Sequence, residues 1–460
     1  MENGFNIEEP PAFNPDRLSL SASKEKIKNL QDGEVLFLSH SMAVVCESGQ
    51  KILFDPAPEG ILVKNKKTSQ SLDLYPLSEA DAMSTNPDNK TGKLPTILKI
   101  LKPVQRIITG VPRIEEKFSI FITDDGQPAN VEAIAQALAP EITALSVSHL
   151  DPDHFNLEFL DESIRANPQL KILVPLGFKR VMANYYRIPG VDSPQDKRPP
   201  FPEKLMEHLK TLSPLPYHSH EKGISDFYHL NLHQTQLGNC QITSYETPHL
   251  TKEYNQAILV QKEATAPGIL YIPDAALSPE ILLLVQKLVS ENKISKICIS
   301  LAKFQPDPIY DLFSPEKSKQ LRDTQEEHLS HSAYIVAALT AVSGDIPIFD
   351  THQGSFFRSA RDERYLEYRL PTTTDESNTA PWKTQFQQFI NQLIHKPEFQ
   401  QLPVITRDKD RLELGKGPAG TSTRKAFSQE IQHYLQEHRI PKSILNIIHM
   451  PGPNEVIPAN

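Results

Sequence analysis

SHLDPDHF (148–155) sets two histidines and two aspartates within six positions, in a chain with 16 histidines among 460 residues. The run leading into it, ITALSVS (142–148), is apolar and β-prone, the pattern of a buried strand. On an extended segment residues two apart share a face, so His149, Asp151 and Asp153 can point to one side, and a turn at Pro152 lets His154 swing in beside them. Imidazole nitrogens with carboxylate oxygens suit zinc, manganese or iron(II). Asp151-Pro152-Asp153 also fits a plain Asx turn. What weighs against that reading is the company the cluster keeps elsewhere in the chain.

Working outward, short strands and helices alternate, which predicts an α/β layered fold. VLFLS (35–39), AVVCE (43–47) and KILFD (51–55) read as a meander. Residues 56–128 read as loop-rich, with one helix candidate at 95–102. Helices are expected at 130–138 and at 157–166, the second ended by Pro168, and a strand at 171–175. Further strands are expected at 241–246, 256–262, 268–273, 296–302 and 346–350. Helices fall at 278–292, where Ser278 and Pro279 make a good start, and at 326–342. Open α/β layers place their chemistry just past strand ends. Four of these strands deliver a donor there: His149, then His249 in ETPHL, Asp274 in YIPDA and His352 in DTHQG. Singly, His249 would be a loop histidine and Asp274 a turn former; together they outweigh the turn reading.

Other histidines are weaker. His218, His220, His229 and His233 lie in an irregular insert, 181–235, and read as exposed loop residues. His328 and His331 share one helix face, and His40 follows a strand; solvated or structural roles compete there with substrate contact. From about 359 the character changes, with TTTDESNTAP as a linker and helix candidates at 381–395 and 425–438 separated by LGKGPAGTSTRK. The organisation is thus a lead-in over 1–30, a main domain over 31–358 and a mainly helical extension over 359–460.

Forty-eight Lys and Arg against 57 Asp and Glu give a net charge of −9, which argues against nucleic acid and against attraction to anionic lipid. No apolar run is long enough to span a bilayer, and MENGFNIEEPPAFNP lacks a signal-peptide core, so a cytoplasmic location is expected. Cys46, Cys240 and Cys298 lie far apart in or beside apolar runs, as buried thiols in a reducing compartment do. The oligomeric state is not legible.

GEVLFLSHSMAVVCESGQKILFDPAP (33–58) resembles the opening of the metallo-β-lactamase fold, and more narrowly the branch holding N-acylphosphatidylethanolamine-hydrolysing phospholipase D and the ascorbate-6-phosphate lactonases. LAPEITALSVSHLDPDHFN, ILVPLGFKR, ETPHLTKEYNQAILV, ILYIPDAAL, ICISLAKFQP and IPIFDTHQGSFF are similar to that branch's later motifs, in order from about 33 to 358. The resemblance implies a four-layer αββα sandwich with one or two divalent ions between the sheets, zinc first, with manganese or iron as alternatives. It implies His149, Asp151 and His249 on the first ion, Asp153, His154 and His352 on the second, and Asp274 bridging them. The activity implied is a hydrolase working through metal-activated hydroxide on a small-molecule or phospholipid phosphodiester, with Asp153 orienting the nucleophile and His328 or His40 contacting substrate. A lactonase or ester hydrolase is the alternative, and a non-catalytic scaffold a third reading. Asp151 stands where the family carries a second histidine, Pro273 and Ala275 where it has Gly and Thr, and Gln353 and Ser355 where it has Trp and Thr.

Overall fold

The structure is a computed structural model. It describes residues 18–39, 41–64, 71–74, 113–149, 154–174, 202, 205, 232–248, 254–273, 279–299, 337–351, 372–373, 379–400, 406–408, 411–413, 418–441, 448–449, 451 and 454–459.

Two sheets face each other. The first is built from β1 (Val35–Ser39), β2 (Met42–Glu47), β3 (Gln50–Phe54), β4 (Ala144–Ser146) and β5 (Lys171–Leu173). The second holds β6 (Leu232–Leu237), β7 (Cys240–Pro248), β8 (Tyr254–Gln261), β9 (Gly268–Ile272), β10 (Ile294–Ile299), β11 (Ile348–Asp350) and β12 (Ile448–His449). A last strand, β13 (Glu455–Ile457), returns to the first sheet. The orders are β5-β4-β3-β2-β1-β13 and β6-β7-β8-β9-β10-β11-β12. Meander neighbours are antiparallel, while β3-β4-β5 and β9-β10-β11-β12 run parallel.

Period-two alternation explains the layers. Val35, Ala43, Val45, Ile52, Phe54 and Ala144 point inward and meet Ile242, Ile258, Val260, Ile269, Tyr271 and Cys298 of the other sheet. Their sequence neighbours point outward. Leu36, Val44, Leu53 and Leu145 pack under α1 (Leu20–Asn29), α2 (Val131–Leu138) and α3 (Leu157–Ala166). Leu259, Leu270, Ile272, Ile297 and Ile348 pack under α4 (Pro279–Ser290), α5 (337–343), α6 (Thr379–Ile394) and α7 (Pro418–His438). Strands apolar on both faces belong between two further layers, and the result is the expected αββα sandwich.

The helices begin where their caps dictate. Asn130 accepts a bond from the Ala133 amide, and Asn156 from Phe159, each side chain satisfying an otherwise orphaned first-turn N–H.

Three readings change. The loop-rich stretch 56–128 contains a three-stranded antiparallel sheet of Ser71–Leu74, Glu59–Lys64 and Arg113–Ser119. Its outer partner lies some fifty residues away in sequence, so local turn signals hide it; the helix candidate at 95–102 lies outside the described residues. The insert ends earlier than expected, because LHQTQL (232–237) pairs along all of its length with β7. The separator LGKGPAGTSTRK is helical from Pro418 onward, a residue whose fixed φ suits a first helical turn.

The chain beyond 358 joins both sheets. β12 extends β11 in parallel, and β13 pairs antiparallel with β1 through Val35↔Ile457, Leu36↔Val456 and Phe37↔Glu455. Trp382, Phe386, Ile390, Phe427, Ile431 and Leu435 share one apolar cluster with β9, β10 and α4. Among the described residues no helix is long and apolar enough to cross a membrane.

Candidate metal centre

The parallel strands β3 and β4 finish side by side. Phe54 is level with Ser146, and the Asp55 amide continues the ladder to the Ser146 carbonyl at 2.8 Å. The backbone then turns sharply, with Asp55 at φ 45°, a left-handed conformation that aspartate tolerates better than most residues. The turn leaves the Asp55 side chain buried at the strand-end edge.

Asp55 is the hub of what gathers there. Its Oδ1 accepts from the Ser148 amide at 2.7 Å, and its Oδ2 accepts from the Ser148 hydroxyl at 2.8 Å. His154 Nδ1 lies 2.9 Å from Oδ2, and the Tyr271 hydroxyl donates to the same oxygen at 2.8 Å. Four donors thus converge on one buried carboxylate, one on Oδ1 and three on Oδ2, and supply the partners that its burial requires. Ser148 Oγ, its proton given to Asp55, has its lone pairs turned to His149 Nδ1 at 2.9 Å.

This chain of donors fixes both rings. His149 Nδ1–H donates to Ser148 Oγ, and His154 Nδ1–H donates to Asp55, which leaves the lone pair of each imidazole on Nε2. The rings lie 4.1 Å apart between centroids and are tilted 43°. Two adjacent imidazoles held at Nδ1, one by a carboxylate and one by a hydroxyl, have the kind of supporting hydrogen bonds that orient histidines toward a metal. The two expected ligands that are described, His149 and His154, offer imidazole nitrogens of the type a divalent ion takes.

The second sheet reaches the same edge. Ile272 is level with Ile299, and Ile299 with Asp350, so β9, β10 and β11 finish together. Buried links join the sheets there. Tyr271 bonds Asp55 and also approaches the Ser41 carbonyl at 3.1 Å, while Gln256 Nε2 donates to the Val147 carbonyl at 3.0 Å. Gln256 is itself held by the Ser244 hydroxyl at 2.6 Å. The edges from which Asp274 and His352 depart are therefore tied to the segment that carries His149.

Of the residues singled out from sequence, the structure brings His149 and His154 together. Asp151, Asp153, His249, Asp274 and His352, with His40 and His328, lie outside the described residues. Among the described residues no group of three His, Cys, Asp or Glu side chains forms a metal-holding cluster. Asp55, Ser148 and Tyr271 went unread as site residues. The Asp-Pro that closes the third meander strand was the available signal for Asp55; nothing in sequence points to Tyr271, whose role comes from facing the other sheet.

No protein-family model matches the sequence, and no curated protein matches it. Among solved structures the chain is similar to one described as a possible metal-dependent hydrolase from Veillonella parvula DSM 2008, at 10% identity and TM-score 0.35, covering 73% of this chain and 91% of that one. It is also similar to an isothiocyanate hydrolase from Delia radicum gut bacteria, at 10% identity and TM-score 0.30, covering 93% and 99%. A third likeness is to a mutant of the CmlA β-hydroxylase, at 13% identity and TM-score 0.32, where 51% of that chain is covered.

Proposed function

We propose that this protein is a metal-dependent hydrolase acting on a phosphodiester, in the manner of a phospholipase D. The observation that carries the proposal is the buried relay from His149 through Ser148 to Asp55 and on to His154, which spends four hydrogen-bond donors on orienting two imidazoles. Such an outlay in an interior is hard to account for as packing, since apolar residues would fill the same volume without the desolvation cost.

In this reading His149, Asp151 and His249 would hold one ion and Asp153, His154 and His352 a second, with Asp274 available to both. When bound, a divalent ion supplies Lewis-acid activation of water and of the scissile bond. The chain's own contributions are distinct. Asp55 and Ser148 hold both histidine rings aligned. Asp153 would orient the attacking water. His328 or His40 would contact the substrate. The narrower branch resemblance favours a phospholipid-like phosphodiester over a lactone.

The test is a hydrolysis screen over phosphodiesters, phospholipids and lactones, with zinc, manganese or iron(II) supplied anaerobically, comparing the protein with His149→Ala and His352→Ala. Turnover of a phosphodiester lost in both variants is expected. Turnover confined to lactones transfers the reading to an ester hydrolase. Variants as active as the parent on every substrate overturn the centre. Less than a tenth of an equivalent of metal in the supplied protein establishes a non-catalytic scaffold, which the Asp151, Pro273 and Ala275 departures would then explain.

A further inference from the structure

We propose that Tyr271 is a positioning residue that couples the two sheets at the metal centre, using its hydroxyl to hold Asp55 and through it the His154 ring. The inference rests on the metal-centre reading and concerns how the two halves of the site are kept in register.

Tyr271 is fully buried in the middle of the sandwich. Its ring stacks on Phe54 with centroids 4.5 Å apart and planes 24° from parallel, a contact phenylalanine would make equally well. The hydroxyl is the part that packing does not require. It carries one proton and faces two acceptors, Asp55 Oδ2 at 2.8 Å and the Ser41 carbonyl at 3.1 Å. The shorter bond goes to the charged acceptor, where a hydrogen bond is worth roughly twice a neutral one.

The other donors to Asp55 are Ser148, twice, and His154, which follow β4 of the first sheet. Tyr271 brings the second sheet to the same carboxylate. It lies on β9, three residues before Asp274. A shift of β9 against β3 therefore moves the Asp274 attachment point and the Asp55 carboxylate against one another unless this bond holds them. Gln256 supplies a second tie, from β8 to Val147, two residues before His149. One tie aligns the carboxylate and the other the strand end, so both histidines are referenced to the opposite sheet. Supporting hydrogen-bond partners of ligating histidines commonly set metal affinity over a 10- to 100-fold range.

Tyr271→Phe keeps the ring stack and removes the hydroxyl. Metal affinity is measured by chelator competition for zinc and manganese, together with the visible absorption of the cobalt(II)-loaded protein. Affinity about 10- to 100-fold weaker, with displaced cobalt bands and an unchanged far-ultraviolet spectrum, is the expected result. Parental affinity with unaltered bands overturns the positioning role and leaves the metal centre standing. A parent protein that binds none of these ions overturns the metal centre, and the positioning role with it. If the variant does not fold, the parent decides, by NMR of the apo-protein with labelled tyrosine and histidine. A slowly exchanging Tyr271 hydroxyl proton close to the His154 Nδ1 proton supports the proposal, and a freely exchanging hydroxyl overturns it.

Discussion

Asp55 carries more of the interior than its size suggests, because the groups around it are paired through it. Replacing it with alanine would remove the acceptor of the Ser148 amide and hydroxyl and of the His154 Nδ1–H, and would leave the Tyr271 hydroxyl only the longer bond to the Ser41 carbonyl. A buried group left unpaired costs about 1–3 kcal/mol, and partial relaxation leaves an expected loss of about 3–5 kcal/mol for Asp55→Ala, read from urea unfolding of the metal-free protein. A loss under about 1 kcal/mol would show that the hub is not anchored as described. Glu47 makes the opposite case at the carboxy-terminal end of β2. Burial, with Asp32 nearby, pushes its carboxyl from the ordinary 4.5 up to about 6, against the pull of Lys262 and Lys296. The folded state thus holds this proton more tightly than the unfolded chain does. The Glu47 contribution is most favourable below pH 4.5, is lost as pH rises toward about 6, and is a constant penalty above that. Glu47→Gln should therefore stabilise the protein by about 2 kcal/mol at pH 7.5 and by nothing at pH 4; equal shifts at both pH values would refute the cause. The thiols of Cys46, Cys240 and Cys298 are pushed up to about 12, chiefly by burial, so all three stay protonated.

At the scale of elements, the last strand and the carboxy-terminal helices are the instructive pieces. β13 covers the edge of β1, and Lys26 Nζ and the Ser23 hydroxyl bind Asn454 just before it. Ending the chain at residue 450 should expose the β1 edge, lower the midpoint of thermal unfolding and promote self-association, because an uncovered apolar strand edge is a template for pairing. Light scattering on the truncated protein checks this; a monomer of unchanged midpoint would show β13 to be dispensable. Trp382, the single tryptophan, is buried on α6 and stacks on Phe386 at 4.8 Å, which in turn meets Tyr434 of α7 at 5.3 Å. Its fluorescence reports on the packing of the extension. Unfolding followed by Trp382 fluorescence should coincide with unfolding followed by far-ultraviolet dichroism, since the helices share a core with β9 and β10. Phe386→Ala should move both transitions together, by about 3–5 kcal/mol. Separate transitions would mean the extension folds as a unit of its own.

For the whole molecule, metal and fold should be linked. An ion that binds only the folded state stabilises it by about 2.7 kcal/mol at a hundred times its dissociation constant, so supplying manganese or zinc should raise the unfolding midpoint of the parent and not that of His149→Ala. Much of the architecture was written locally. The alternation in VLFLS, AVVCE and KILFD, the Asn caps at 130 and 156, and the apolar faces of α3 and α4 each specify an element through its immediate neighbours in sequence. The pair His149 and His154 was legible for the same reason, five positions apart on one strand-end segment. The pairing of Glu59–Lys64 with Arg113–Ser119, the return of β13 to β1 and the meeting of Tyr271 with Asp55 were not legible. Each joins segments roughly fifty positions apart or more, and the side chains involved look locally like ordinary strand or turn residues. By itself the sequence determined many of the elements, the apolar layers and where a donor cluster begins. The tertiary structure alone decided which distant strands close the sheets and which buried hydroxyl and carboxylate orient the histidines, because those contacts depend on two sheets stacking and not on any residue's neighbours in the chain.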